Sequence, residues 1–321
     1  KLLGKILQLS NKNIEALINL GVIFKEENNL KKATDYFLKA YHINPKHPVV
    51  NYNLGTVFEA DNKFIKAIKY LETAIKLEPN YTAAHFNLGC SYEKIGKKQE
   101  AFLSYNNAFN IDPTHHGNIN NFARMQLTLE DFKNGWINYE SRWGKNQFDY
   151  NKLNISKNKI WEGDKFEGTL IVHAEQGIGD EILFSSMFND VIDFQKNVWI
   201  TVDNRLIQLM QRSFPKIKFI DRKKTILTDK FAKHIYSGSL GKFFRNSIDD
   251  FKKNISPWLV ANTKHKENFS KDITDPKKIN IGISWKTASL KSADKTISLF
   301  EFASIFLQNN FNLINFQYGE I

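Results

Sequence analysis

The side chains best suited to chemistry lie in one short stretch, EQGIGDEILF, at residues 175–184. The apolar TLIVHA before it is typical of a buried strand, and the run after the glycines is typical of a helix. Glu175 and Asp180 carry carboxylates that can take a proton from a substrate hydroxyl. Gly177 and Gly179 let a ligand approach the backbone closely. The stretch therefore predicts a phosphate cradle, a site for a catalytic carboxylate, or a tight turn whose Asp180 only caps the helix.

Two nucleotide-binding motifs do not fit this turn. A dinucleotide fingerprint needs G-x-G-x-x-G, but Ile182 stands at the third glycine position. A G-x-x-x-x-G-K-[ST] loop is also absent, because no such Lys-Ser or Lys-Thr pair follows these glycines. On spacing alone, a structural turn is as good an interpretation as a binding site.

From about residue 160, predicted strands alternate with predicted helices. The strands TLIVHA, NVWITVD, KFI and HIYSG, separated by helical stretches, indicate a parallel α/β sheet. Two further strands, KKINIGISW and FNLINFQY, follow a polar, proline-containing segment at 267–278 that suits a hinge. Ligands of open parallel sheets bind beyond the carboxyl ends of strands, so residues 175–180 and 284–295 are expected at ligand-facing edges.

The first third of the chain contains a 34-residue internal repeat. Six positions recur three times: Leu20, Leu54, Leu88; Gly21, Gly55, Gly89; Phe24, Phe58, Tyr92; Ala33, Ala67, Ala101; Ala40, Ala74, Ala108; and Pro45, Pro79, Pro113. The small residues allow paired helices to approach closely, and each proline ends the second helix of a pair. This pattern resembles the tetratricopeptide repeat.

The repeat segment is expected to span residues 1–145. Its units are 14–47, 48–81 and 82–115, with the end of an earlier unit at 1–13 and a degenerate unit at 116–145. In the degenerate unit, Ala123 replaces the glycine, Gly135 replaces an alanine, and the final proline is missing. These departures suit a terminal unit that docks on another domain. The start inside a repeat indicates a fragment of a longer chain.

Stacked helix pairs of this kind form a concave groove lined by the first helix of each pair. Ile18, Tyr52 and Phe86 share one repeat position there and are predicted to form a groove for a partner peptide or protein. Ordinary packing between neighbouring first helices is the alternative. Cys90, at a nearby position, is interpreted as a small apolar filler because no Cys-His pattern accompanies it.

Composition narrows the class of protein. The 321 residues are 42% hydrophobic and 13% aromatic, which is enough for a core, and the formal charge is +11. Lysines dominate that charge and are scattered, which favours an ordinary basic surface over nucleic-acid binding. No apolar run approaches the ~18 residues of a membrane span, and no signal peptide is visible. A single cysteine excludes an internal disulfide and fits a cytoplasmic protein.

The histidines do not predict a metal site. His115 and His116 are adjacent but lack further spaced ligands, which is typical of a loop. His173 lies inside a predicted strand, where a hydrogen-bonded core histidine is the commoner role. We therefore expect no metal and no bound cofactor.

The order of segments along the chain resembles a known bacterial arrangement. The repeats are followed by GWINYESRW, WEGDKFEGTLIVHAEQGIGDEILF, GSLGKFF and IGISWKTAS…KTISL…FQYG. This order is similar to tetratricopeptide repeat proteins fused to a heptosyltransferase-like, two-lobed GT-B glycosyltransferase, and more distantly to O-linked N-acetylglucosamine transferases. The resemblance implies an all-α tetratricopeptide solenoid followed by α/β: a Rossmann-like parallel sheet lobe at 160–270 and the start of a truncated nucleotide-sugar-binding lobe at 278–321.

The same resemblance implies roles for the glycine turn. In heptosyltransferases this turn ends in Gly-Asp, and the Asp is the proposed base, so Asp180 would be the catalytic base. Glu175 would be a second candidate for the base or for acceptor contact. Gln176, Gly177 and Gly179 would form the acceptor-side loop.

A lysine-rich loop would hold the donor. By resemblance, Lys286, Thr287 and Lys295 would bind the donor diphosphate through charge-assisted hydrogen bonds. The related proteins usually carry Arg-Ser-Ile where this chain has KTI, so the positive charge is kept but the bidentate fork is lost. A solvated surface loop is the alternative.

These inferences predict a cytoplasmic glycosyltransferase that moves a sugar from a nucleotide-sugar donor to a protein or glycan acceptor recruited by the repeats. The fragment is expected to be inactive alone, because its second lobe is incomplete. The competing hypothesis is a non-catalytic protein–protein interaction scaffold in which the α/β region is structural.

Overall fold

The computed structural model describes residues 12–143, 155–224, 230–253, 257–271, 279–283 and 311–315. The chain divides into two units, Lys1–Trp258 and Leu259–Ile321, which are treated separately below.

The larger unit begins with four consecutive helix pairs. Their helices are α1 Ile14–Glu26, α2 Leu30–Ile43, α3 Pro48–Ala60, α4 Phe64–Leu77, α5 Thr82–Lys94, α6 Lys98–Ile111, α7 His116–Thr128 and α8 Phe132–Tyr139. Each helix packs most closely on its pair partner and then on the next pair along the chain. This is the stacked arrangement of a helical solenoid.

The repeated glycines mark the closest approach within each pair. A Cβ atom added to Gly89 would lie 2.6 Å from the Tyr105 ring, and one added to Gly55 would lie 2.6 Å from Leu71 Cγ. The Tyr105 and Leu71 side chains are fully buried. Only glycine leaves room for them, which is the physical reason for the 34-residue glycine period.

The turn inside each pair needs a left-handed residue. The turn residues are Asn28, Asn62, Gly96 and Glu130, with φ of 59°, 56°, 77° and 67°. Asn and Gly adopt this conformation easily, whereas a long side chain such as glutamate adopts it at a cost. The strained member is therefore Glu130, in the degenerate fourth pair.

A four-stranded parallel sheet follows the helices. Its strands are β1 Leu170–His173, β2 Val198–Val202, β3 Lys218–Asp221 and β4 Lys233–Tyr236, in the order β3-β2-β1-β4. The helices between and after them are α9 Ile178–Phe184, α10 Phe188–Phe194, α11 Ile207–Ser213, α12 Gly241–Phe244 and α13 Ile248–Lys252. The strand order reverses between β1 and β4, and ligands of such sheets bind in the crevice at that point.

In this protein the repeats cover that crevice. A 3₁₀ turn at Glu140–Trp143 follows α8 and places Arg142 against Glu175, the second residue after β1. Arg142 Nε and Nη2 donate to the two Glu175 carboxylate oxygens at 2.9 and 3.0 Å. The backbone N–H of Gly238, after β4, donates to the same carboxylate. Both residues are buried, with side-chain exposures of 4% and 1%.

Every donor of the Arg142 guanidinium is satisfied. Besides the two bonds to Glu175, Nη1 donates to the Tyr139 carbonyl at 3.1 Å and to Glu140 Oε1 at 2.7 Å. Nη2 also donates to Ser239 Oγ at 2.8 Å. Guanidinium has five N–H donors, and all five are used. The group therefore fixes the last repeat to the sheet and retains no donor for a ligand.

Aromatic residues add further contacts between the last helix pair and the segment that follows the sheet. Trp136 Nε1 donates to the Arg245 carbonyl at 2.7 Å, and the Trp136 ring occupies the space that a Cβ atom on Gly241 would need. The rings of Phe132 and Phe251 lie 4.8 Å apart. The degenerate fourth pair is thus the one that contacts the sheet domain.

The smaller unit contains one described helix and two described strands. These are α14 Thr263–Lys271, β5 Ile279–Ile283 and β6 Phe311–Asn315. The strands pair in parallel, from Ile279 opposite Phe311 to Ile283 opposite Asn315.

The expected helical solenoid followed by a small parallel sheet is confirmed. The finer expectation of a two-lobed GT-B architecture is not confirmed. The boundaries at 1–145, 160–270 and 278–321 stay predictions.

We expect Gly89→Ala to lower the free energy of unfolding by about 1–3 kcal/mol, because the added methyl group overpacks the helix pair. Gly179→Ala is the matched control. Nothing lies within 4 Å of a Cβ atom at Gly179, so that variant should be neutral or slightly more stable. Urea unfolding monitored by circular dichroism measures both. Equal effects of the two substitutions would contradict the proposed packing role of Gly89.

Breaking the Arg142–Glu175 pair should leave one buried charge without its partner. We expect Arg142→Met and Glu175→Leu each to cost about 3–5 kcal/mol, and the double variant to cost clearly less than their sum. Arg205→Gln, which removes a 69% exposed partner of Asp203, should cost less than about 0.5 kcal/mol. Urea unfolding monitored by tryptophan fluorescence tests this. Additive single effects would show that the pair is not coupled.

Candidate functional site

The turn after β1 does not present Glu175 to a substrate. Both carboxylate oxygens are engaged by Arg142 and Gly238, and the residue is completely buried. Burial raises the pKa of the Glu175 carboxyl, while the Arg142 guanidinium opposes that rise. For Arg142, burial alone would lower the pKa, but Glu175 and then Glu140 raise it. The pair therefore acts as a closed ion pair.

Asp180 forms a helix cap in this structure. Its Oδ2 accepts the backbone N–H of Gly177 at 3.0 Å, at the start of α9. This geometry corresponds to the capping interpretation of the sequence, in which the acidic side chain satisfies an N–H at the helix start. A proton-accepting role for Asp180 stays a prediction.

The remaining residues of the turn are exposed. Gln176 adopts a left-handed φ of 58°, and its Nε2 donates to Tyr139 Oη at 2.9 Å. Its carbonyl accepts Arg222 Nη1 at 3.1 Å. Gly177 is the N-cap of α9, and open space surrounds Gly179. The turn is thus tied to the last repeat by Gln176 and to β3 by Arg222.

Glu181 is a buried anchor that the sequence interpretation missed. It forms an ion pair with Arg222 and accepts the backbone N–H of Asp203 at 2.7 Å. Asp203 follows β2 and Arg222 follows β3, so Glu181 joins α9 to the ends of both strands. Of the two adjacent acids in EQGIGDEILF, Asp180 therefore caps the helix and Glu181 is a buried anchor.

His173 is part of the sheet core. Its Nε2 lies 3.0 Å from His234 Nδ1, and the two rings stack with centroids 5.3 Å apart. Burial and then the neighbouring His234 lower the pKa of His173 to about 3, so it is neutral at physiological pH. The neutral His173 ring therefore carries no charge with which to bind an anion.

A cavity of about 340 Å³ lies at the junction of the repeats and the sheet. It is lined by Asn120, Arg124, Tyr139, Arg142, Trp143, Glu175 and Gln176. Arg142 and Glu175 are occupied with each other, so the polar groups facing a ligand come from Asn120, Arg124 and Gln176. Asn120 and Arg124 belong to α7, which connects the cavity to the surface of the first helices.

The predicted donor-binding residues Lys286, Thr287 and Lys295 lie outside the described residues. Their proposed contacts to a diphosphate were inferred from the resemblance alone.

The first helices α1, α3, α5 and α7 share a surface that we call the first-helix face. It consists of six positions, spaced along one side of each helix, that recur every 34 residues. In α3 these are Val49, Tyr52, Asn53, Thr56, Glu59 and Ala60, and the equivalents in the other helices follow by the repeat. The spacing i, i+3, i+4, i+7, i+10, i+11 keeps all six on one side of a helix.

The three predicted groove residues lie on this face but differ in exposure. Ile18 is 9% exposed and packs in the core cluster of the first two pairs. Tyr52 and Phe86 are half-buried, and the Tyr52 ring lies 4.8 Å from Tyr81. The column thus contributes to packing between pairs, and its aromatic members also leave part of each ring accessible.

An asparagine column runs along the same face. Asn19, Asn53, Asn87 and Asn121 are spaced 34 residues apart. The Nδ2 groups of the last three donate to Val49 O at 2.8 Å, Tyr52 Oη at 3.2 Å and Tyr105 Oη at 3.4 Å, respectively. Their Oδ1 atoms accept no hydrogen bond from any described residue. The 34-residue period was the signal that could have identified this column from sequence.

Cys90 packs against the apolar cluster of Ala101, Tyr105, Phe122 and Met125, and its thiol also contacts polar groups. Its Sγ accepts Tyr105 Oη at 3.4 Å, and Tyr105 also donates to Glu93 Oε2 at 2.9 Å. Arg124 pairs with Glu93 at 3.3 Å. Burial raises the pKa of the Cys90 thiol to about 11, so it is not a nucleophile at neutral pH.

Glu59 is the exception among the acids of the face. It occupies the same repeat position as Glu93. Its carboxylate makes no hydrogen bond with a described residue, and no described cationic nitrogen lies within 4 Å of its oxygens. Burial raises its pKa to about 7, against the smaller opposing effects of Lys25 and Lys94. A desolvated carboxylate without a direct partner is a candidate binding group.

In the described part of the chain, no three or more His, Cys, Asp or Glu side chains are grouped to hold a metal ion. Among the helices that the structure describes, none is long and apolar enough to cross a membrane.

Comparison with known proteins identifies the repeats. Family models described as tetratricopeptide repeat match residues 14–47, 49–81 and 70–102. Protein FlbA of Caulobacter vibrioides is 32% identical over 100 residues, which cover 30% of this chain and 17% of FlbA. The chain therefore spans less than a fifth of that relative's length.

Solved structures give similar matches. The crystal structure of MamA has a TM-score of 0.41 and 20% identity, covering 48% of this chain and 88% of MamA. Pseudomonas aeruginosa PilF has a TM-score of 0.43 and 18% identity, covering 47% of this chain and 69% of PilF.

The expected glycosyltransferase function is wrong. The family models that match describe tetratricopeptide repeats, and neither they nor FlbA supports a heptosyltransferase-like domain or the binding of a nucleotide sugar. The physical reason for the error is that a glycine turn followed by acids suits a catalytic loop, a helix cap and a buried anchor equally. Residues 14–102 are tetratricopeptide repeats, as the family models show.

Proposed function

We propose that this chain is a protein-interaction scaffold that holds an extended segment of a partner protein along the first-helix face. The sheet of the larger unit then serves as a rigid support that closes one end of the repeats. The support for this proposal comes from the acceptors and half-buried aromatic rings that the face presents.

The asparagine column carries the proposal. Asn53, Asn87 and Asn121 each use the amide NH₂ group inside the protein and leave Oδ1 without a described donor. These three oxygens are not buried, so they form a row of acceptors that solvent or a partner can reach. An extended backbone offers N–H donors at regular intervals and is the ligand that such a row suits.

The aromatic residues of the face add apolar surface. Tyr52 and Phe86 are half-buried and are held by the rings of Tyr81 and Tyr105, with centroids 4.8 and 6.0 Å apart. Rigid aromatic rings supply contact area without much loss of side-chain entropy on binding. The face therefore combines acceptors for a backbone with partly accessible aromatic rings that partner side chains can contact.

We expect Asn87→Ala to weaken binding of a partner peptide about 5–10-fold, the effect of losing about one hydrogen bond. A peptide is first selected from a displayed random library with the full chain, and its Kd is then measured by fluorescence anisotropy. Lys69→Ala is the control and should leave the Kd unchanged, because Lys69 is an exposed residue of α4, the second helix of its pair. Equal Kd values for all three proteins, or no selected peptide at all, would overturn the proposal.

The face should also lower stability, because binding surfaces carry groups that do not serve folding. The folded-state pKa of Glu59, about 7, lies above the ordinary value of 4.5, so the folded state holds more protons between these pH values. The free energy of unfolding should therefore fall as pH rises through this window.

Glu59→Gln removes that loss. We expect the variant to be about 1–2 kcal/mol more stable than wild type at about pH 8 and equal to it at about pH 4, after allowance for partial exposure. Thermal and urea unfolding at both pH values measure the difference. The control Glu78→Gln removes an exposed carboxylate at the end of α4 and should have little effect. A Glu59→Gln variant that is less stable at pH 8 would contradict the desolvation of this carboxylate.

A further inference from the structure

Glu59 and Glu93 occupy one position of the repeat, 34 residues apart, yet their surroundings differ. Glu93 accepts Tyr105 Oη at 2.9 Å and pairs with Arg124 at 3.3 Å. At the position of Arg124 one repeat earlier stands Cys90, which cannot supply a positive charge. Glu59 therefore lacks the cation that the equivalent position gives to Glu93.

The nearest cations do not fill this place. Lys25, on α1, directs its Nζ to Thr56 Oγ1 at 3.0 Å, and Lys94, on α5, is exposed. Both influence Glu59 electrostatically, but neither lies within 4 Å of its carboxylate. Tyr52 and Cys90 are the other titratable groups that face Glu59, and neither is a cation.

The face as a whole lacks the positive excess of the chain. Its charged residues are Glu15, Glu26, Glu59 and Glu93 against Lys25, Lys94 and Arg124. The complete chain carries a formal charge of +11, so its basic residues lie mostly elsewhere. A positively charged group is therefore not repelled from the first-helix face by a local excess of lysine and arginine.

We propose that the partner segment places a lysine or arginine side chain against Glu59. This inference rests on the proposed scaffold function and names the chemistry of the partner at one position. The pairing would complete at Glu59 the ion pair that Arg124 provides at Glu93.

The neighbouring ring suits the rest of such a side chain. Tyr52 lies on the same helix as Glu59, two turns earlier, and is electrostatically coupled to it. The apolar stem of lysine packs on an aromatic ring, and guanidinium also stacks on its face. An acid and a half-buried tyrosine on the same side of one helix thus form a two-part site for a basic side chain.

Binding should be linked to the protonation of Glu59. Burial raises the pKa of this carboxyl to about 7, so it is mostly protonated at about pH 5.5 and mostly ionised at about pH 8. A cation binds the ionised form, so the affinity for a basic segment should rise across this range and level off above it.

The experiment uses the full chain and a random peptide library, followed by fluorescence anisotropy. We expect the selected peptides to share a lysine or arginine at one position. Replacing that residue by glutamine, or Glu59 by glutamine, should each weaken binding at about pH 8 roughly tenfold or more, and the two changes together little further. Wild-type affinity should rise about tenfold or more between pH 5.5 and 8, and that of Glu59→Gln should not.

Glu78→Gln, an equal change of charge off the first-helix face, is the matched control and should keep the wild-type Kd and pH dependence. Protonated Glu59 and glutamine have nearly the same shape, so Glu59→Gln keeps the fold, which circular dichroism verifies. Selected peptides without a basic residue, or unchanged binding by Glu59→Gln, would overturn the inference and leave the scaffold function standing. A failure to select any peptide would overturn both. Self-association that depends on Glu59, seen by sedimentation, would also overturn it, because the occupant would then be a second copy of this chain.

Discussion

The five-donor guanidinium of Arg142 is the contact on which the rest of the larger unit depends. A helical solenoid needs a cover for its last pair, and a parallel sheet leaves a crevice where its strand order reverses. Arg142 meets both needs, because it joins the end of the last pair to Glu175 after β1 and to Ser239 after β4. A buried ion pair adds little net stability. It does destabilise any other docking of the last helix pair on the sheet, because each buried charge would then lack a partner.

The Arg142–Glu175 pair and the first-helix face differ in how their charged and amide groups are paired. At the junction, the polar atoms of Arg142 and Glu175 are paired, and aromatic rings surround them. On the first-helix face, the amide oxygens of Asn53, Asn87 and Asn121 and the carboxylate of Glu59 have no described donor or ion-pair partner. At the edge of the sheet, Arg142 and Glu175 are occupied with each other and line a cavity of about 340 Å³, whereas the first-helix face extends along the repeats.

Local periodicity was readable from sequence, whereas long-range pairing was not. The glycines at 21, 55 and 89 predicted the helix pairs because a single steric requirement recurs in each pair. The same period contained the left-handed turn residues and the asparagine column, which could have been found by the same search. Arg142 could not be matched to Glu175, since nothing in either local sequence encodes a contact made across 33 residues. Asp180 was ambiguous for a different reason: an acid near the start of a helix satisfies a cap and a catalytic role with the same residue types.

The central claim is that partners bind the repeats and not the edge of the sheet. The most direct test is to cross-link a selected peptide bearing a photoreactive group to the full chain and to map the labelled residues by mass spectrometry. If partners bind the repeats, labels are expected in α1, α3 and α5, at residues 14–26, 48–60 and 82–94. Labels confined to residues 175–180 and 237–241, beside the strand ends, would contradict it and return the binding site to the sheet.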